Sequence, residues 1–255
     1  MISMRRLFDN WSGIASRLRA APAIALFLDF DGTLARLRPR PEQALLHGPM
    51  RQVLSALARC PRFRVWVISG RRLDDVRSRI RVPRIHYLGL HGWEADDGRK
   101  LAGDTRLALP RLRSSVAAAM AELPGVWVED KQHAFTVHYG GVAEPDARRA
   151  RALLDALVEP YSRRFRIESG KNVWEVLPKE LGDKGVAVRR QLALLSGAAI
   201  AVYVGDDRVD EPAFAALRDG ITVRVGGKGP SRARYSLGGV AEVSAFLHKL
   251  KEEFA

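Results

Sequence analysis

The chain has 255 residues, of which 47% are hydrophobic, so it is long enough for one large domain or two smaller ones with apolar cores. Its formal net charge is +13, but the basic residues are scattered through every segment. That distribution argues against a dedicated nucleic-acid-binding tail and leaves a general attraction for anionic substrates. A single cysteine, Cys60, excludes an internal disulfide and fits a reducing compartment, so we expect a cytoplasmic location.

The first element predicted along the chain is an amphipathic helix within residues 1–22. Apolar residues recur there at helical spacing between Leu7 and Leu18. Arginines interrupt the segment, so it lacks the continuous apolar stretch of a targeting signal. We expect this helix to pack on the core, and the alternative is a helix that lies on a membrane surface. No apolar run approaches the ~20 residues that a spanning helix needs, so we predict no membrane partner.

A buried strand is predicted next, and it ends in a pair of carboxylates. The apolar run Ile24–Leu28 is unbroken, which is typical of a strand covered on both faces in the middle of a parallel sheet. Asp29 and Asp31 follow directly, and Gly32 then turns the chain. Ligands of open α/β sheets bind at the carboxyl ends of the strands, so these two side chains are placed to do chemistry.

The rest of the chain alternates strands with helices, except in the middle. Further buried strands are predicted at 63–69, 85–90, 200–207 and 220–225, with helices at 50–59, 72–80 and after Val240. This alternation predicts a doubly wound, Rossmann-like parallel sheet. In the middle, a helix followed by two strands occurs twice, from a helix at 109–122 onwards, which favours an antiparallel sheet. We therefore predict a core domain of residues 23–105 and 179–255 that carries an inserted second α/β domain, residues 106–178.

Four strand ends or helix starts carry the residue types that phosphoryl transfer from a monoester requires. One carboxylate must attack phosphorus, a second must protonate the leaving oxygen, cations must hold the phosphate and further carboxylates must hold a metal. The candidates are Asp29 and Asp31, Ser69-Gly70-Arg71, Lys184, and Gly205-Asp206-Asp207. Each pattern alone is common as a turn, a helix start or a solvated loop.

Taken together, the motifs DFDGTL, SGR, DKG and GDDRVDE resemble those of the haloacid dehalogenase superfamily of phosphatases. The resemblance implies that Asp29 is the nucleophile, which forms an aspartyl-phosphate, and that Asp31 is the general acid and then the base. Ser69, Gly70 and Lys184 would bind the phosphate. The implied cofactor is Mg2+, a hard ion that prefers oxygen ligands. Its implied ligands are Asp29, the main-chain carbonyl of Asp31 and Asp206, with Asp207 and Asp210 in the outer shell.

Further motifs resemble the trehalose-6-phosphate phosphatase family within that superfamily: GLHGWE, VEDKQHAFTVHY and GKNVWEVLP. The resemblance implies a cap that binds the sugar of trehalose 6-phosphate. The implied substrate-binding residues are Arg71, Glu129, Lys131, Lys171 and Glu175. Taken alone, Arg71 fits a solvated helix residue as well, and Glu129 with Lys131 fits an exposed ion pair on a strand.

Four positions depart from the family pattern, and they keep the identity of the sugar open. Gly140 replaces an expected Arg, Ala134 an expected Ser, Val209 an expected Thr and Pro212 a common acidic residue. One alternative is therefore a phosphatase for another sugar phosphate, such as sucrose 6-phosphate or a glucosylglycerol-type substrate. A second alternative, raised by the net charge of +13, is a non-catalytic nucleic-acid-binding or regulatory protein on the same fold. We expect a monomeric phosphatase whose partner is a small sugar phosphate and not nucleic acid.

Overall fold

A computed structural model describes residues 4–38, 40–95, 100–170, 172–227 and 229–255. The chain forms two compact units. The first, here called the core unit, comprises Met1–Asp96 and Asp183–Ala255, and the second, the inserted unit, comprises Asp97–Gly182. Within the ranges described, every helix is too short or too polar to cross a membrane.

Two separate sheets organise the units. The strands in chain order are β1 (Arg5–Arg6), β2 (Ile24–Leu28), β3 (Phe63–Ile68), β4 (His86–Leu88), β5 (Trp127–Asp130), β6 (Phe135–His138), β7 (Phe165–Gly170), β8 (Val173–Pro178), β9 (Ile200–Gly205), β10 (Ile221–Val225) and β11 (Tyr235–Leu237). The core unit holds a parallel sheet of seven strands in the order β1-β11-β10-β9-β2-β3-β4, and the inserted unit holds an antiparallel sheet of four in the order β5-β6-β8-β7. The predicted fold class is confirmed.

The helices connect these strands as the sequence pattern predicts, with one shifted start. They are α1 (Trp11–Ala20), α2 (Gly48–Arg59), α3 (Leu73–Ile80), α4 (Gly103–Met120), α5 (Glu144–Val158), α6 (Lys184–Ala193), α7 (Glu211–Ala216) and α8 (Val240–Phe254). Helix α4 begins at Gly103 instead of 109, so Pro110 lies inside it. Thr105, Ala108 and Leu112 are buried along the helix, and this packing outweighs the backbone hydrogen bond that a proline removes.

Strand β2 lies in the interior of the parallel sheet, between β9 and β3, which explains its unbroken apolar sequence. Leu26 and Leu28 belong to the core on one face, whereas Ala25 and Phe27 belong to the core on the other face. Successive strand residues point to opposite faces, so a strand covered on both sides must be apolar throughout.

The N-terminal segment packs on the core unit and also adds a strand that the sequence pattern does not predict. Ile14 and Leu18 of α1 are buried in the same apolar cluster as β2. Before the helix, β1 extends the sheet edge by pairing with β11, Arg5 opposite Tyr235. Both residues of β1 are exposed arginines, so no apolar pattern marks this strand.

Candidate active site

A buried lysine joins two carboxylates at the carboxyl edge of the parallel sheet. Asp29 follows β2, and its amide donates to the carbonyl of Val204 in the adjacent strand. Lys184, the first residue of α6, donates from Nζ to Asp29 Oδ1 at 2.6 Å and to Asp210 Oδ1 at 2.7 Å. The lysine side chain is only 1% exposed. Burial alone would lower the pKa of Lys184, but the charges of Asp210 and Asp29 outweigh it and raise this pKa above its usual value.

Asp210 is fixed by three donors. Besides Lys184, the phenol of Tyr203 donates to Oδ1 at 2.8 Å, and the amide of Asp207 donates to Oδ2 at 3.0 Å. Gly205 makes room for this carboxylate, because a Cβ added there would lie 2.3 Å from Cγ of Asp210. Sequence reasoning missed Tyr203, which lies in an apolar strand. The only signal is that a buried tyrosine hydroxyl usually has a hydrogen-bond partner.

Asp206 completes a cluster of carboxylates. Asp29, Asp206 and Asp210 offer oxygens that lie within 4.8 Å of one another. Burial raises the pKa of Asp206, and the charges of Asp29 and Asp210 raise it further. Burial likewise raises the pKa of Asp29, although Lys184 offsets part of the effect. A Cβ added to Gly32, at φ +80°, would lie 2.1 Å from Asp206 Oδ2, so only glycine fits against this carboxylate.

The side chain of Asp31 is bound by Arg71 and is not one of the three clustered carboxylates. Arg71 binds it through two hydrogen bonds, from Nε to Oδ2 at 2.6 Å and from Nη2 to Oδ1 at 2.8 Å. The same guanidinium donates to Asp75 Oδ2 and to the carbonyl of Pro41, both at 2.8 Å. This planar, bidentate geometry fixes the orientation of both Asp31 oxygens. Arg71, expected to bind substrate, is thus buried against Asp31, and Asp75 is a further residue that sequence reasoning missed.

A strained loop holds the segment that contains Ser69 and Gly70. After β4, Leu90, His91 and Gly92 all have positive φ values, of 43°, 58° and 100°. The amide of His91 donates to the carbonyl of Ser69, and the amide of Leu90 donates to the carbonyl of Arg71. The Ser69 hydroxyl accepts from the amide of Arg71 at 3.1 Å. Residues in such unfavourable conformations persist only where the surrounding structure holds them, and they are common at functional sites.

The same loop contacts two helices that carry the site. Glu94 accepts from the amide of Leu73 at 2.6 Å, which satisfies a free donor at the start of α3. Gly92 packs on α6, since a Cβ added there would lie 2.2 Å from Cβ of Ala187. Lys184 begins that helix, and Asp183 caps it by accepting from the amide of Val186 at 2.8 Å. The GLHGWE segment therefore positions the loop of Ser69 and the helix of Lys184 together.

In the inserted unit, two of the predicted substrate-binding residues form a buried ion pair. Lys131 donates from Nζ to Glu175 Oε1 at 2.6 Å, and both side chains are 9% exposed. The hydroxyl of Thr136 also approaches Glu175 Oε1, at 3.5 Å. Two buried charges require partners of this kind, because each would otherwise lose its hydration without compensation.

A third predicted residue lies on the same face of the antiparallel sheet. Strand pairing places Glu129 opposite Thr136 and Thr136 opposite Glu175, so the three form one row across β5, β6 and β8. Glu129 Oε2 bonds to His138 Nε2 at 2.8 Å. The fourth predicted residue, Lys171, lies outside the described residues. Asp207, expected in the outer shell of a metal, caps the turn that contains Asp210 by accepting from the amide of Arg208.

Comparisons with known proteins agree with the fold and the motifs. The family model described as trehalose-phosphatase matches residues 27–241. A trehalose-phosphate phosphatase of Mycobacterium avium is 35% identical, over 90% of this chain and 62% of its own. Probable trehalose-phosphate phosphatase D of Arabidopsis thaliana is 30% identical, over 90% of this chain and 67% of its own. A Mycobacterium tuberculosis protein named an uncharacterized glycosyl hydrolase is 36% identical, but this chain spans only 17% of its length.

Solved structures show the same fold. The C-terminal domain of the Candida albicans trehalose-6-phosphate phosphatase superposes with a TM-score of 0.86, covering 98% of this chain and 99% of that chain. Its sequence is 20% identical, so the likeness bears on the fold alone. A haloacid dehalogenase-like hydrolase of Bacteroides thetaiotaomicron has a TM-score of 0.63 at 14% identity.

Proposed function

The chain belongs to the trehalose-phosphatase family, and from this premise we propose that it hydrolyses trehalose 6-phosphate to trehalose and phosphate. The observation that carries the proposal is the buried set of Asp29, Lys184 and Asp210. A module that only binds ligands has no use for a carboxylate held beside an ammonium in a buried site, which is costly to build. Phosphoryl transfer needs such an arrangement, since it depends on positioning and on fixed charge.

In the proposed reaction, an oxygen of Asp29 attacks the phosphorus of the ester. The bond from phosphorus to the sugar oxygen breaks, and Asp31 gives that oxygen a proton as trehalose leaves. Asp31 then takes a proton from water, which attacks the phosphorus of the aspartyl-phosphate. Phosphate departs and Asp29 is regenerated. Arg71 holds the two Asp31 oxygens in one orientation through its two hydrogen bonds.

Lys184 and Ser69 bind the phosphoryl oxygens in this proposal. An ammonium has three hydrogens, of which Asp29 and Asp210 accept two, so one can serve the phosphoryl group. The hydroxyl of Ser69 accepts from the amide of Arg71, which orients its own hydrogen away from that amide and toward a further acceptor. Asp210 and Tyr203 position Lys184 and do not touch the substrate.

The residues at this edge fit a divalent cation. Three carboxylates, of which Asp29 and Asp210 are buried and Asp206 is half-buried, lie within 4.8 Å of one another, and Lys184 binds two of them, so ionising all three leaves negative charge uncompensated. Asp29 and Asp206 would hold Mg2+, together with the main-chain carbonyl of Asp31. Asp210 would remain in the outer shell, because its oxygens already accept from Lys184, Tyr203 and Asp207. When bound, Mg2+ supplies positive charge that stabilises the phosphoryl oxygens.

The inserted unit selects the sugar in this proposal. Glu129, Lys131 and Glu175 lie on one polar face of its sheet and would bind hydroxyl groups, with Lys171 as a fourth contact. Charged partners discriminate strongly between sugars, since a hydroxyl in the wrong place leaves a charge buried and unpaired.

The proposal is tested by following both products and the covalent intermediate. Purified chain with Mg2+ should release trehalose and phosphate in equal amounts from trehalose 6-phosphate. Borohydride added during turnover should reduce the acyl phosphate and leave homoserine at position 29, which peptide mass spectrometry detects. The variant Asp29→Asn is the matched control and should give neither result. Trehalose release without any modification of Asp29 would contradict the proposed mechanism, and no release would contradict the function.

A further inference from the structure

An aromatic side chain lies on the polar face of the antiparallel sheet. Trp127 belongs to β5, an edge strand, and is 42% exposed although it is large and apolar. In an antiparallel sheet, residues directly opposite each other share a face, so Trp127 lies on the same side as His138. Glu129 is two residues further along β5 and therefore lies on that side as well. An exposed indole thus stands beside a carboxylate that we propose to bind sugar hydroxyls.

The indole is held rigidly. Its ring stacks on the imidazole of His138 with centroids 3.8 Å apart and an angle of 2° between the planes. His138 is fixed in turn by the 2.8 Å bond from Nε2 to Glu129 Oε2. One ring face of Trp127 is covered by the imidazole, and β5 is an edge strand, so no further strand of the described sheet flanks it on the side away from β6. Two aromatic rings locked by a carboxylate lose little conformational entropy when a ligand binds.

The surrounding side chains are of the kind that binds hydroxyl groups. Trp127 and His138 are paired across β5 and β6, and the row of residues two positions further along the same face contains Glu129, Thr136 and Glu175. Strand pairing adds Glu168 of β7 to this row, opposite Glu175. Two glutamates directly opposite each other repel, and Arg166 offsets the charge of Glu168 through a 2.7 Å ion pair. This face therefore combines several hydrogen-bond acceptors with one flat apolar surface.

We propose that Trp127 and His138, here called the aromatic platform, hold a pyranose ring of the substrate. One side of a pyranose carries several C–H groups and is apolar, whereas its rim carries hydroxyls. The indole stacks under the C–H side, and the neighbouring carboxylates accept from the rim, so each part of the sugar meets its matching surface. The inference rests on the proposed function and adds to it a residue that determines specificity for a sugar over other phosphate esters.

A purely structural role for the pair makes a different prediction. Cross-strand aromatic pairs stabilise a sheet, so loss of Trp127 would then lower stability and affect every substrate equally. An aromatic platform acts only on substrates that have a pyranose ring. The two roles are separated by the ratio of kcat/KM for trehalose 6-phosphate to kcat/KM for a small aryl phosphate.

The experiment measures this ratio, together with thermal unfolding, in the parent, Trp127→Ala and Trp127→Phe. Leu107→Ala is the matched control, since Leu107 is an exposed apolar residue of α4 in the same unit. We expect Trp127→Ala to lower the ratio by about tenfold, and Trp127→Phe to restore it to within ~3-fold of the parent, because an aromatic ring is restored. The control should leave the ratio unchanged.

An unchanged ratio in Trp127→Ala, or an equal loss for both substrates, would overturn the aromatic platform. If the parent does not hydrolyse trehalose 6-phosphate at all, the proposed function fails instead. The platform is then judged on the sugar phosphate that the parent hydrolyses best, with the same variants. A smaller ratio in Trp127→Ala supports it there, and an unchanged ratio overturns it.

Discussion

The hydroxyl of Tyr203 offers a sensitive test of how the site is built. Tyr203→Phe keeps the ring and removes one hydrogen bond, the 2.8 Å bond that the phenol donates to Asp210. A hydrogen bond to a charged group is worth about 1.5–3 kcal/mol, and Tyr203 is fully buried, so water cannot replace the lost donor. A protein of this size changes its Tm by about 2–4 °C per kcal/mol, so we expect a decrease of about 3–12 °C.

Activity should fall in the same variant. Asp210 is one of the two carboxylates that hold Lys184, so a loosened Asp210 leaves the ammonium less well placed for the phosphoryl group. A loss of ~1.4 kcal/mol in transition-state binding corresponds to tenfold in rate, and we expect kcat/KM to fall by up to about this factor. Thermal unfolding followed by circular dichroism and a phosphate-release assay measure the two effects.

Tyr235→Phe is the matched control for this test. Tyr235 is also buried in the core unit, but the hydrogen bond that its hydroxyl accepts from Arg5 is a long one of 3.4 Å. We expect its Tm to change by less than ~2 °C and its kcat/KM to stay the same, because a long bond to an exposed partner contributes little. If Tyr203→Phe is as stable and as active as the parent, the proposed support of Lys184 through Asp210 is wrong.

Three further changes test the site from different sides. Asp29→Asn removes the attacking charge with little change in shape. We expect turnover to fall by more than ~10³-fold with an unaltered circular dichroism spectrum. Substantial phosphate release by this variant would exclude Asp29 as the nucleophile. Asp206→Asn should raise the Mg2+ concentration for half-maximal activity at least ~10-fold, yet leave the metal-free protein as stable as the parent or more so, because one of three crowded carboxylates loses its charge. An unchanged Mg2+ requirement would remove Asp206 from the proposed ligands. Gly92→Ala places a Cβ 2.2 Å from that of Ala187, so α6 and Lys184 must shift. We expect this variant to lose about 1–3 kcal/mol of unfolding free energy and to have a higher KM. A KM and a stability equal to those of the parent would show that the loop does not position α6.

The fold, and the position of several motifs at one edge of the parallel sheet, can be predicted from the sequence for a geometric reason. The carboxyl ends of adjacent parallel strands lie at one edge of a sheet. Because β2 pairs with β9, the residues that follow these two strands are neighbours, independently of the loop conformations. The strand-end positions of Asp29 and Asp206 are compatible with one site, and the resemblance of their motifs to the phosphatase superfamily assigns both to it. Alternation along β5 likewise predicts that Glu129 and Lys131 share a face, whereas Glu175 is assigned to the same site by the family resemblance, and the structure supplies the strand register that aligns it with Glu129.

Other contacts of the site depend on details that a pattern does not contain. The pairing of Arg71 with Asp31 joins residues 40 positions apart, and it depends on how two loops lie at the sheet edge. Tyr203 stands within an apolar run, so its sequence context indicates only core packing. Strand β1 has two exposed residues, and it exists only because β11 leaves an edge with which it can pair. In each case a long-range contact, and not a local preference, determines the structure.

Trehalose 6-phosphate is the proposed substrate of this chain, and kinetic comparison of several phosphate esters is the most direct test of that proposal. The measurement is kcat/KM with Mg2+ for trehalose 6-phosphate, sucrose 6-phosphate, a glucosylglycerol phosphate and a small aryl phosphate, all under the same conditions. We expect trehalose 6-phosphate to exceed each of the others by at least about 10²-fold, because charged side chains reject a sugar whose hydroxyls are misplaced. Comparable values for all four esters, or a clear preference for another sugar phosphate, would contradict the claim.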